Sequence, residues 1–111
     1  MKTLKFKSHL VGQILNGSKT ATWRLFDDKD LKVGDIFCVV NSDTGENISK
    51  SVIIEVKEKK LGEVKDEDFE GHEKYQDQND MLEHYRKYYG DKVNLDTVVK
   101  MIKFELINEQ D

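Results

Sequence analysis

Residues 36–40 read Ile36-Phe37-Cys38-Val39-Val40, apolar at every position, and this run narrows the folding choices of the chain more than any other feature. It has the length of a strand and is bounded by turn formers, Gly34-Asp35 before it and Asn41-Ser42-Asp43 after it. A strand turns successive side chains to opposite faces, so apolar residues at both parities ask for cover on both sides. The expectation is a central strand, in a closed barrel or in a sheet packed on two faces. The same run is the longest apolar stretch in the sequence. It falls far short of the roughly 20 residues that cross a bilayer, so no membrane helix is expected.

The flanking segments supply the rest of a sheet. Lys32-Val33-Gly34-Asp35 forms a turn into a strand over 36–41, and the turn formers of 41–47 lead to a β-rich run over 48–59 that returns as an antiparallel hairpin partner. Upstream, Thr3-Leu4-Lys5-Phe6-Lys7 alternates apolar and polar and reads as a short strand. Ser8 is expected to cap a helix over 8–16, where Leu10, Val11, Ile14 and Leu15 recur at helical spacing and Asn16-Gly17 supplies a left-handed stop. A strand over 20–25 follows, ending in the charged loop Asp27-Asp28-Lys29-Asp30. Beyond the hairpin, 61–69 reads as a connector with a short acidic helix, and a clearer helix starts at Asn79 or Asp80 and ends at Gly90. Its apolar stripe is Met81, Leu82, Tyr85, Tyr88 and Tyr89, a core face rather than a binding platform. The last strand, 97–107, places Val98, Ile102, Phe104 and Leu106 on one face. The order strand, helix, three strands, helices, strand gives an α+β domain with a mostly antiparallel sheet, and no repeat or linker divides residues 1–111.

Charge and cysteine usage limit the partners. The chain carries 18 basic and 22 acidic side chains, a net charge of −4. Residues 1–60 hold 11 basic against 8 acidic groups and residues 61–111 hold 7 against 14. Lys2, Lys5, Lys7, Lys19 and Arg24 face no acid within the first 24 residues. An acidic chain is a poor candidate for extended non-specific nucleic-acid binding, while a small local anion or nucleotide site stays open. With one cysteine no intramolecular disulfide can form, no apolar leader follows Met1, and a reducing cytoplasm is the expected compartment. Cys38 is expected to be a buried core thiol. His9, His72 and His84 lack zinc spacing, the glycines form no phosphate-binding loop, and neither a metal nor another cofactor is expected.

The stretch richest in chemistry is Gly17-Ser18-Lys19-Thr20-Ala21-Thr22-Trp23-Arg24, which passes from helix stop into strand. By parity Thr20, Thr22 and Arg24 share a polar face that looks at water or a pocket, and Ala21, Trp23 and Leu25 share an apolar face that packs. Lys19 can join Thr22 only from the turn before the pleat begins. An amine, a hydroxyl and a guanidinium then converge near a helix end.

This block, together with the helix carrying Leu10 to Leu15, the Leu31-Lys32-Val33-Gly34-Asp35 turn into an apolar strand, the Glu70-Gly71 step and the closing strand, resembles the ASCH domains of the PUA-like superfamily. The resemblance covers nearly the whole chain and implies a small PUA-like β-barrel of mostly antiparallel strands with flanking helices. Many relatives carry glutamate where this chain has Thr22. A threonine there is similar to the small bacterial members that hydrolyse N4-acetylcytidine, whereas other members are implicated in binding RNA or its modified bases. The resemblance implies that Thr22 is a nucleophile, that Lys19 takes its proton with Arg24 as the cation that lowers the lysine pKa, and that Glu70 activates water or returns a proton to the departing amine. Asp66, Glu67, Asp68 and Glu73 crowd the segment around Glu70, and for these four a solvated acidic face is expected. Arg24, Thr20 and Trp23 are the candidate substrate-binding residues, although the parity of Trp23 suits the core. The expected ligand is a nucleoside or modified base, hydrolysed or simply bound, with RNA as the alternative partner. No sequence feature sets the oligomeric state.

Overall fold

The computed structural model describes residues 1–107; positions 108–111 of the expected domain lie outside the described residues. The elements run β1 (Lys2–Phe6), α1 (Ser8–Asn16), β2 (Ala21–Leu25), β3 (Ile36–Asn41), β4 (Asn47–Lys60), two short 3-10 turns (Leu61–Glu63 and Asp66–Phe69), α2 (Gln78–Tyr89) and β5 (Val98–Ile107). All five strands join one sheet in the order β1-β3-β4-β5-β2. β1 runs parallel to β3 and every other neighbouring pair is antiparallel. Register shifts at Val39/Val40 and at Ile53/Glu55 bend the long hairpin, as bulges do, and help to curl the sheet. The result is a half-barrel of the α+β class. Its two edges, β1 and β2, face each other across a seam that no ladder closes among the described residues. Arg24 spans that seam, with Nη2 donating to the Lys5 carbonyl at 3.2 Å and the guanidinium 5.0 Å from the centre of the Phe6 ring.

Alternation along β5 divides the core. Ile102 and Phe104 point into the curl with Leu4, Phe37, Val39 and Ile53, where α1 adds Val11 and Ile14. Val99 and Met101 point the other way, with Trp23, Leu25 and the Met81, Leu82 and Tyr85 stripe of α2. β2 and β5 are therefore the strands covered on both faces. β3, expected to be central and covered on both sides, is the second strand of five. Phe37 and Val39 are buried, but Ile36 is exposed, because among the described residues no helix lies over that part of the sheet. Cys38 is half-buried, with its sulfur 3.3 Å from that of Met1, and is not the core thiol expected.

Helix ends follow local chemistry with one departure. Ser8 is the first residue of α1 rather than its cap; Lys7 holds the cap position without a side-chain bond. The Ser8 N–H donates instead to Asp43 in the β3–β4 turn at 2.9 Å, so a long-range carboxylate serves as the cap. α2 begins slightly before the expected start because Asp77 accepts from the Asp80 N–H at 2.8 Å. Among the described residues no helix is long and apolar enough to cross a membrane.

Candidate functional site

β2 begins where α1 stops, and the stop sets the position of Lys19. Gly17 takes φ +85°, and the N–H groups of Ser18 and Lys19 both donate to the Gln13 carbonyl, wrapping the chain tightly around the helix end. Lys19 thus leaves the junction before the pleat dictates direction. The Phe104 N–H donates to Thr20 O, so alternation aims the backbone groups of Thr20, Thr22 and Arg24 at β5 and those of Ala21, Trp23 and Leu25 outward. The Ala21 carbonyl on this outer edge accepts from Lys19 Nζ at 2.8 Å. The amine therefore lies along the edge of β2 instead of on either face, beside the peptide that joins Ala21 to Thr22.

A second segment meets this edge. The Gly71 carbonyl accepts from the N–H groups of Thr20 and Ala21 at 2.9 and 3.1 Å. Gly71 has φ +74°, and a Cβ there would lie 2.0 Å from Thr20 Oγ1, so both conformation and space require glycine. Pinned in this way, the segment delivers His72 and Glu73. Glu73 Oε2 lies 2.6 Å from Lys19 Nζ, and Lys19 itself is only 3% exposed. The His72 ring stacks on Trp23 with centroids 4.3 Å apart. Phe69 and Tyr75 pack against the same indole, and the Tyr75 hydroxyl donates to that of Tyr85 at 3.2 Å.

Burial sets the electrostatics. It pushes the Lys19 amine below the ordinary lysine range; Glu73 pulls it back up in part, and the charge of Arg24 adds to the downward push. Burial also pushes Glu73 upward, yet His72 and Lys19 together hold it below its usual value, so the carboxylate is charged at neutral pH. Burial and then the charge of Lys19 bring His72 down to about 4. The neutral ring must donate from Nδ1, since its partner at 2.9 Å is the Glu73 carbonyl, and Nε2 is left as an acceptor. Burial raises Tyr75 to about 12, which keeps its hydroxyl protonated.

The residues singled out from the sequence fall in three places. Lys19 lies in the buried pair. Thr22 is 4% exposed and stands opposite Ile102, on the face turned into the curl rather than toward solvent, and Lys19 makes its hydrogen bonds to Ala21 and Glu73 rather than to the threonine hydroxyl. Arg24 spans the seam on the same face as Thr22. Trp23 is buried against His72 and α2, and Thr20 is exposed at the Gly71 contact. Glu70 is exposed, and the acid that meets Lys19 is Glu73. Neither Glu73 nor Asp68 fits the solvated face expected for them. Asp68 has a fully buried carboxylate, held by Lys57 at 2.6 Å and Lys59 at 2.9 Å. His72 and Glu73 carry no spacing signal in the sequence; Gly71, the residue that forces the contact, was the only available cue. Two hollows open beside Arg24, and Lys19, Thr22 and Glu70 line neither. Among the described residues no group of three or more His, Cys, Asp or Glu side chains is arranged to hold a metal ion.

No family model and no curated protein matches this sequence. Solved structures do resemble the fold. An Enterococcus faecalis protein, EF3133, described by the family model DUF984, superposes with a TM-score of 0.82 at 13% identity, over 96% of this chain and 76% of that one. An ASCH domain from Lactobacillus crispatus gives 0.71 at 17% identity, over 95% of this chain and 79% of that one. The ASCH protein of Zymomonas mobilis gives 0.67 at 10% identity, over 97% and 68%. The fold of this chain is of the ASCH type.

Proposed function

We propose that the chain is an amidohydrolase acting on an N-acylated cytidine-type nucleoside, converting N4-acetylcytidine to cytidine and acetate. One observation carries this reading: a lysine amine almost sealed from solvent, 2.6 Å from a carboxylate and three residues before Thr22 in the chain. A threonine hydroxyl attacks a carbonyl only when a base removes its proton, and an amine is a base only when its pKa has been lowered, as burial lowers that of Lys19.

In this scheme the free amine of Lys19 takes the Thr22 proton as Oγ1 bonds to the acetyl carbon. The bond from that carbon to the exocyclic nitrogen breaks as the nitrogen receives the proton from Lys19, releasing cytidine and leaving an acetyl ester on Thr22. Water gives one proton to Glu73 as its oxygen bonds to the ester carbon; the bond from that carbon to Thr22 Oγ1 breaks as Oγ1 regains the proton from Glu73, and acetic acid departs and loses its remaining proton to solvent as acetate. Glu73 thereby takes the role that the resemblance assigns to Glu70, because Glu73 touches Lys19 and Glu70 does not. Arg24 favours the free amine through its charge.

A second reading, a module that binds RNA or a modified base without catalysis, draws support from the two hollows flanking Arg24 and from Lys19 having both its hydrogen bonds within the chain. Incubation with N4-acetylcytidine separates the two. The hydrolytic reading expects acetate release that falls by about 10² to 10⁴ in Lys19→Ala and in Thr22→Ala. The double variant should be scarcely worse than either single one, because base and nucleophile act as a unit. Tight cytidine binding with no acetate released transfers the site to the binding module.

A further inference from the structure

His72 touches Trp23 and Glu73, takes no part in the proton transfers above, and has a side chain only 4% exposed. Its ring is fixed from two directions. One face lies on the Trp23 indole, with centroids 4.3 Å apart and planes within 17° of parallel, and Tyr75 tilts against it at 6.2 Å. Trp23 follows Thr22 directly in β2, so the ring takes its place from the strand that carries the threonine.

The other contact is to the acid. Nδ1 donates to the Glu73 carbonyl at 2.9 Å and lies 3.9 Å from Glu73 Oε2, so carbonyl and carboxylate gather on one side of the ring. A hydrogen bond from the side chain of one residue to the carbonyl of the next closes a short loop of chain and limits rotation of the Glu73 backbone. On the other side of His72 the Gly71 carbonyl is tied to the N–H groups of Thr20 and Ala21. Glu73 therefore starts from a backbone anchored at both β2 and Trp23, and from there its Oε2 meets Lys19 Nζ at 2.6 Å. Two other roles fit His72 less well. With its pKa brought down to about 4 the ring is a weak base at neutral pH, and the nitrogen nearest the acid is the one that donates. Packing on Trp23 alone would be served by phenylalanine, which offers a stacking face and no donor.

We propose that His72 is a positioning residue: the proton on its Nδ1 holds Glu73 where the carboxylate meets Lys19, and so sets the pair that the hydrolysis uses. This role in catalysis rests on the hydrolytic reading of the site, and the hold itself is measured without catalysis. Lys19 is sealed while the Glu73 side chain is 35% exposed, so a displaced carboxylate opens a path from solvent to the amine.

Three variants separate the donor from the ring. His72→Asn puts an amide N–H where Nδ1 stands and removes the ring, His72→Gln moves the same amide out to where Nε2 stands, and His72→Phe keeps the ring and removes the donor. Brief acetylation with acetic anhydride, read by mass spectrometry, compares Lys19 with the exposed Lys29 in each folded protein. In the parent and in His72→Asn, Lys19 should be labelled at least about tenfold more slowly than Lys29, and in His72→Phe and His72→Gln that protection should fall several-fold. The kcat for acetate release from N4-acetylcytidine should follow the same order, dropping about tenfold or more in His72→Phe and His72→Gln with little change in KM, and staying within a few-fold of the parent in His72→Asn. A role in packing alone reverses the order, with His72→Phe like the parent and the two amides equally impaired. That reversed order, or a parent in which Lys19 labels as fast as Lys29, overturns the proposal. Protection in the expected order with no acetate from the parent supports the hold of His72 on the pair and sinks the hydrolytic reading alone.

Discussion

Replacing Gly71 with alanine strains the contact that holds the candidate site together, and its cost can be worked from the geometry. At φ +74° an L-residue is in the left-handed region, at a cost of roughly 1–2 kcal/mol. The new Cβ would stand 2.0 Å from Thr20 Oγ1, 3.3 Å from Thr20 Cβ and 3.4 Å from Thr20 N. Rotating the threonine hydroxyl away relieves the first contact. Relieving the others means moving backbone that is tied to Gly71 O by two hydrogen bonds, each worth about 1 kcal/mol. The expected destabilisation is about 2–4 kcal/mol, which in a domain of this size lowers the melting temperature by roughly 10–20 °C. Urea denaturation followed by tryptophan fluorescence is the assay, and Trp23 is a direct reporter because it packs on His72 in the displaced segment. Combining Gly71→Ala with Thr20→Ala should recover part of the loss but leave the backbone term. A Gly71→Ala protein with the midpoint of the parent would show that the 70–73 segment is not pinned to β2 and would refute the reasoning.

Other expectations are simpler to state. His72 has a pKa near 4 when folded and near 6.5 when unfolded, so the unfolded chain binds the extra proton between those values. Stability should therefore be flat above about pH 6.5 and fall by about 3 kcal/mol as pH drops toward 4. His72→Gln should flatten that window in pH-dependent urea titrations; an unchanged profile would mean that another group drives it. Asp68→Ala removes a buried carboxylate bonded to Lys57, Lys59 and the Lys65 N–H. It should cost about 2–3 kcal/mol by chemical denaturation, since the lysines can return to water. A cost under half a kcal/mol would mark the cluster as a surface pair. Asp43→Ala, which removes the distant cap of α1, should lower stability by about 1 kcal/mol.

The sequence carried the fold further than the site. Helical spacing in 8–16, strand parity in 97–107 and the turn formers of 41–47 are local signals, and the elements appear where those signals put them. The all-apolar run at 36–40 misled about cover, because composition does not say where helices lie: α2 packs on Trp23 and Leu25, leaving Ile36 exposed. Parity puts Thr22 and Arg24 on a face that looks at water or a pocket, and does not say that the curl turns this face inward, because curl comes from bulges that side-chain parity does not encode. Lys19 was legible as a residue held in the turn before β2. Its partner was not, since the approach of Glu73 depends on Gly71 docking across 50 residues of chain.

Acetate release from N4-acetylcytidine by the parent protein, Glu73→Gln and Glu70→Gln, measured side by side with all three shown to be folded, tests the central claim most directly. Glutamine keeps the size of the side chain and removes the base, so the change is chemical rather than steric. The account predicts that the parent yields cytidine and acetate in equal amounts, that Glu73→Gln is slower by about 10² or more, and that Glu70→Gln stays within a few-fold of the parent. No acetate from the folded parent, or a Glu73→Gln protein as fast as the parent, would contradict it.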